Sequence, residues 1–118
     1  MRSEESCVVR LNVGGVEFST YQSTLMKSPF LEMLFRHERG TGEVVFVDRD
    51  PELFKYVLRW LRSTHVIPKS ESHAFELMVE AEYYGIIEMV TYLQGNMDCI
   101  RRRDVSYQLY LLSSKHTG

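Results

Sequence analysis

Thiols are scarce in this chain: Cys7 and Cys99 are the only two among 118 residues. Two cysteines cannot build a disulfide framework or close a four-ligand zinc site alone, so a reducing setting, cytoplasmic or nuclear, is expected. No apolar run approaches the ~18 residues a membrane helix needs, and membrane insertion is not expected. The opening Met1-Arg2-Ser3-Glu4-Glu5-Ser6 is polar and acidic, without the apolar centre of a signal peptide. Prolines number only three, and no Pro/Gly-rich linker, repeat or low-complexity tract interrupts the chain. An excess of one charge is also missing. The balance of 14 Lys+Arg against 16 Asp+Glu, net −2, argues against a dedicated nucleic-acid binder.

What is present suits one domain. Hydrophobic residues make up 44% and charged residues 25%, and a chain this long buries roughly two-thirds of its unfolded surface. Charge is segregated: residues 1–60 hold 8 basic and 9 acidic side chains, residues 61–100 hold 2 and 6, and residues 101–118 hold 4 and 1.

Val8 to Val13 alternates as a strand, with Val9, Leu11 and Val13 on one face. Gly14-Gly15 and then Val16 to Thr20 complete a tight hairpin. Ser23 to Met26 predicts a short capped helix. Pro29 opens a second helix, with Phe30, Leu31, Met33, Leu34 and Phe35 as its buried stripe. Residues 36–43 read as a polar loop. Val44 to Val47, apolar throughout, predicts a central strand. Asp50-Pro51 starts a helix, the aspartate capping and the proline lacking only an N–H the helix does not need. Leu53, Phe54, Val57, Leu58 and Leu61 follow at helical spacing. Ser72 predicts the start of the next helix, carrying Phe75, Met78, Val79 and Ala81 and closing at Gly85. Residues 86–93 predict another, with Ile87, Val90 and Leu93 inward, ending near Gly95-Asn96. Residues 98–112 predict one more. The order of elements implies an α+β fold, a three-stranded sheet with five to six helices.

Catalytic constellations are absent. Gly14-Gly15 lacks the Lys-Ser/Thr of a phosphate loop. Glu80, Glu82 and Glu88 do not converge as a general acid and base, and they read as solvated helix faces. His37, His65, His73 and His116 share no i, i+4 metal spacing. No nucleophile motif surrounds a serine or cysteine. No catalytic residue, metal site or cofactor is expected, and an enzyme is the weakest reading. Arg101-Arg102-Arg103 is short for a polyanion site and reads as a solvated or partner-binding tail. Tyr107, Leu109, Tyr110, Leu111 and Leu112 are too apolar for a free tail, and are expected to pack back on the domain or to bind a partner or a neighbouring copy.

Several short runs in fixed order carry a family resemblance. They are Leu11-Asn12-Val13-Gly14-Gly15, Phe18 and Thr20, Thr24-Leu25, Pro29, Phe46-Val47-Asp48-Arg49-Asp50-Pro51, Phe54, Val57-Leu58, Leu61-Arg62 and Glu80-Ala81-Glu82-Tyr83-Tyr84-Gly85-Ile86. Together they resemble a BTB/POZ domain of the potassium-channel tetramerisation type, closest to the KCTD family. The resemblance covers residues 8–94, leaving 1–7 as a lead and 95–118 as a tail or extra helix. It leaves no room for the additional N-terminal strand and helix of longer BTB domains. The histidine-and-cysteine zinc site of several channel domains is not expected, because the needed cysteine pair is missing. No membrane segment follows, so the chain is not expected to be a channel itself.

The resemblance implies a protein-interaction module that assembles with itself, most simply as a tetramer or pentamer. Asn12, Asp48, Arg49, Asp50 and Glu80 fall to the oligomer interface. It also implies an adaptor for a cullin-3 ubiquitin ligase, with Phe30, Leu31 and Tyr83 at the cullin contact. The alternative is an assembly domain that sets subunit number in a channel or larger protein without binding a cullin.

Overall fold

A computed structural model describes residues 7–38 and 44–97. They form β1 (Val8–Val13), β2 (Val16–Tyr21), α1 (Gln22–Leu25), α2 (Pro29–Glu38), β3 (Val45–Val47), α3 (Pro51–Ser63) and α4 (Glu71–Tyr83). A further helical run, α5, occupies 87–97. Three strands and five helices among the described residues agree with the expected α+β BTB architecture. The helix expected over 98–112 lies outside the described residues.

β1 and β2 pair antiparallel around Gly14-Gly15, with Val13 opposite Val16. Both turn glycines have positive φ, 57° and 102°, which glycine adopts without steric cost. β3 pairs parallel to β1, setting Leu11 against Val45, Asn12 against Phe46 and Val13 against Val47. The sheet order is β2-β1-β3, so the expected central position of β3 is corrected: β1 is central and β3 lies at an edge. Period-two alternation then turns Val45 and Val47 inward and leaves Phe46 58% exposed.

α3 is the best-specified helix. Asp50 Oδ1 accepts from the N–H of Glu52 at 2.8 Å and of Leu53 at 3.4 Å, with Pro51 behind it. Phe54, Val57, Leu58, Trp60 and Leu61 are buried, and Leu53 packs at the margin. α1 begins at Gln22, one residue before the expected Ser23, and has no side-chain cap. In α2 only Leu31 is fully buried, while Phe30, Leu34 and Phe35 pack at the core margin and Met33 is 45% exposed. The helix runs to Glu38, so Arg36-His37-Glu38 is its last turn and not loop; residues 39–43 lie outside the described residues.

α4 starts one residue earlier than expected, capped by Ser70, which accepts from the His73 N–H at 3.1 Å. Its inner face is Ala74, Leu77, Glu80 and Ala81, while Phe75 and Val79 are exposed. Of the expected stripe, Ala81 is buried and Met78 packs at the core margin, but Phe75 and Val79 turn outward and Ala74 and Leu77 take the inner positions. In α5 the inward residues are Met89, Leu93 and Met97, whereas Ile87 is 69% exposed. The run passes through Gly95-Asn96, so the expected helix end there is not observed.

Candidate interaction surface

Three chain segments meet at one end of the sheet: the hairpin turn, the β3–α3 joint and the end of α4. Gly14 holds the first two together. Its N–H donates to the Val47 carbonyl at 2.9 Å, and a Cβ built there would lie 2.3 Å from the Arg49 carbonyl oxygen. Only a residue without a side chain lets the 49–51 backbone approach so closely. Asn12 acts locally, accepting the Gly15 N–H on Oδ1 at 2.7 Å, and lies on the outward sheet face opposite Phe46.

The three charges of Asp48-Arg49-Asp50 go three ways. Asp48 is exposed. Asp50 caps α3. Arg49 turns to α4 and forms a two-point pair with Glu80, Nη2 to Oε2 at 2.6 Å and Nε to Oε1 at 3.2 Å. The Arg49 side chain is 27% exposed and that of Glu80 7%. The hydrogen bond to Glu80 raises the Arg49 guanidinium above its ordinary value, against the opposing effect of desolvation. Glu80 is therefore not on a solvated helix face as its spacing implied; it is a buried carboxylate with a counter-charge, as burial requires.

Arg49 also stacks on Tyr83, with its guanidinium carbon 4.1 Å from the ring centroid. Tyr83 meets Phe30 at 4.7 Å and Tyr84 at 5.1 Å between centroids. Tyr83 is 37% exposed and Phe30 half-buried, while Leu31 is fully buried beneath them. Of the residues singled out by resemblance, Arg49 and Glu80 from one group thus meet Tyr83 and Phe30 from the other, while Asn12, Asp48 and Asp50 stand apart from that cluster. Burial pushes the Tyr84 phenol well above its ordinary value, and its hydroxyl has no hydrogen-bond partner among the described residues.

Ser28 locks α2 to the end of α4. It is fully buried; its hydroxyl donates to the Tyr84 carbonyl at 2.7 Å and accepts from the Leu31 N–H at 3.1 Å. Gly85, with φ 74°, turns the chain away beside Pro29. The sequence reading passed over Ser28, although Ser28-Pro29 repeats the cap-then-proline pattern of Asp50-Pro51. Phe46 was also missed as a surface residue. No group of three or more potential metal ligands occurs among the described residues, and none of their helices is long and apolar enough to cross a membrane.

A BTB/POZ domain family model matches residues 9–93. The chain is 37% identical over 93 residues to SH3KBP1-binding protein 1 of Bos taurus, covering 74% of this chain and 13% of that protein. It is 37% identical over 93 residues to FH protein interacting protein FIP2 of Arabidopsis thaliana, covering 72% and 31%. Human BTB/POZ domain-containing protein KCTD5 is 33% identical over 104 residues, covering 81% and 43%. In each case the match spans less than half of the relative's length. The chain belongs to the BTB/POZ domain family of the potassium-channel tetramerisation type, shared with the KCTD proteins, and is by that membership a module for protein–protein interaction and oligomerisation.

Proposed function

We propose that this chain assembles with itself into a closed ring of four or five copies and acts as an adaptor for a cullin-3 ubiquitin ligase. The observation that carries the reading is the half-exposed Phe30–Tyr83 pair, held by Arg49 and Glu80 near an outward sheet face bearing Asn12 and Phe46, with exposed Asp48 just beyond β3. Aromatic side chains fixed by their neighbours make strong anchors, since little rotamer freedom remains to be lost on docking. Exposed Phe46 and Asp48 give an assembly surface both apolar area and a directing charge. Repetition around an axis multiplies one modest contact into a stable ring.

Arg49 and Glu80 contribute to this surface by fixing the β3–α3 joint and Tyr83. Reversing Arg49 sets two carboxylates side by side, so Asp48→Lys, at an exposed position, is the cleaner probe of assembly. The adaptor role is tested by calorimetry with the N-terminal region of cullin-3. Saturable heat that Tyr83→Ala abolishes, with circular dichroism and assembly state unchanged, supports it. An assembled wild-type protein giving no heat overturns the adaptor role and leaves the assembly domain as the function.

A further inference from the structure

β2 is an edge strand, and its outer side runs along α3. In the β1–β2 register, Val13–Val16, Leu11–Phe18 and Val9–Thr20 are the mutually hydrogen-bonded pairs of a two-residue hairpin. The backbone groups of Glu17, Ser19 and Tyr21 therefore point away from β1, towards the free edge. The Ser19 carbonyl does so visibly, accepting from Arg62 Nη2 at 3.1 Å. Two adjoining hollows follow this edge, of about 420 and 470 Å³, and both are lined by Ser19 and Arg62. Phe18 and Leu58 supply the apolar part of one, and Lys55, Arg59 and Arg62 its charge.

These three cations sit at i, i+4 and i+7 on α3 and share one face. Lys55 pairs with Glu52 at 3.3 Å. Arg59 has no carboxylate partner among the described residues; its nearest aromatic is Tyr56, at 5.8 Å. Among the described residues Arg62 meets only the Ser19 backbone oxygen. Among the described residues no acidic side chain lines either hollow, although the chain as a whole is net acidic. A free strand edge is a template for another strand, and here it lies beside Arg59 and Arg62, two cations with no carboxylate partner among the described residues.

We propose that this groove binds an extended acidic peptide of a partner protein, added to β2 as a fourth strand with its carboxylates against Arg59 and Arg62. Strand addition supplies affinity through the Ser19 and Tyr21 backbone, and alternate acidic side chains meeting α3 supply selection. Arg62 leaves the Ser19 carbonyl and turns to the incoming carboxylate, freeing that oxygen for the added strand. The inference does not depend on cullin-3 binding.

The test is fluorescence anisotropy of the whole chain with a labelled ten-residue peptide of alternating valine and glutamate. A second peptide keeps the charge but carries proline at alternate positions, which cannot pair as a strand. Saturable binding of the first peptide, weakened about tenfold or more by Arg59→Glu, with slowed amide exchange at Ser19 and Tyr21, is the expected result. Arg59 makes no ion pair with the described residues, so this variant is expected to keep its fold, checked by circular dichroism; Arg59→Gln provides a milder second variant. Equal binding of the proline peptide, no effect of either Arg59 variant, or unchanged Ser19 and Tyr21 exchange overturns the proposal.

Discussion

Removal of Arg49 and removal of Glu80 are expected to differ in cost, although each breaks the same ion pair. Arg49→Ala strands a carboxylate whose side chain is 7% exposed, while Glu80→Ala frees a guanidinium already 27% exposed and seated on Tyr83. Breaking a fully buried pair costs roughly 3–5 kcal/mol. The pair lies at the core margin, which places Arg49→Ala near the lower end, about 3 kcal/mol. Glu80→Ala loses two charge-assisted hydrogen bonds, but the arginine turns to water and keeps its ring contact, so about 2 kcal/mol is expected. Urea unfolding followed by circular dichroism measures both, at one protomer concentration because assembly itself stabilises the fold. An Arg49→Ala deficit below about 0.5 kcal/mol, the level of an ordinary surface substitution, would refute the reasoning. So would a larger loss for Glu80→Ala.

Gly14→Ala is expected to cost more than the ~1 kcal/mol of a left-handed alanine alone, because the new methyl carbon meets the Arg49 carbonyl at 2.3 Å; a loss under that figure in thermal unfolding contradicts the close approach. Tyr84→Phe is expected to be neutral or up to about 1 kcal/mol stabilising, since it deletes a buried hydroxyl without a described partner and keeps the ring contacts; a clear loss of stability reveals a partner for the hydroxyl. Burial, and then the charge of Lys69, hold His73 below its ordinary 6.5. The unfolded chain therefore binds more protons in that window, and stability falls as pH drops through 6.5 until the folded histidine titrates. The same protonation removes the Nδ1 acceptor of the Lys69 N–H, 2.9 Å away. His73→Gln should flatten this limb of the stability curve, and an unchanged slope excludes His73 as its source.

The parts legible from sequence are those governed by local chemistry. Gly14-Gly15 dictates a hairpin, and Asp50-Pro51 dictates a helix start, whatever surrounds them. The parts misread depend on what lies opposite. Phe46 belongs to an apolar run that reads as doubly buried, yet nothing described covers its outer face. In α4 the close neighbour is α3, and small Ala74 sits inward beside Leu77 and Ala81 while the larger Phe75 and Val79 turn outward, which size and hydrophobicity alone do not indicate. Glu80 could be placed only once Arg49 was seen to reach it from 31 residues away. Gly95 is tolerated inside a helix because its cost, about 1 kcal/mol relative to alanine, is small beside the packing of Leu93 and Met97. The family motifs did not reveal the roles their residues play within the chain: Asn12 in the turn, Asp50 on the helix cap and Leu31 in the core.

Self-assembly is the central claim, and the mass of the protein in solution tests it most directly. Light scattering behind a sizing column, at tens of micromolar protomer, should give four or five times the 13.9 kDa chain mass. Asp48→Lys or Phe46→Asp should return that mass towards one chain with the circular dichroism unchanged. A wild-type protein that remains at 13.9 kDa at high micromolar concentration contradicts the account.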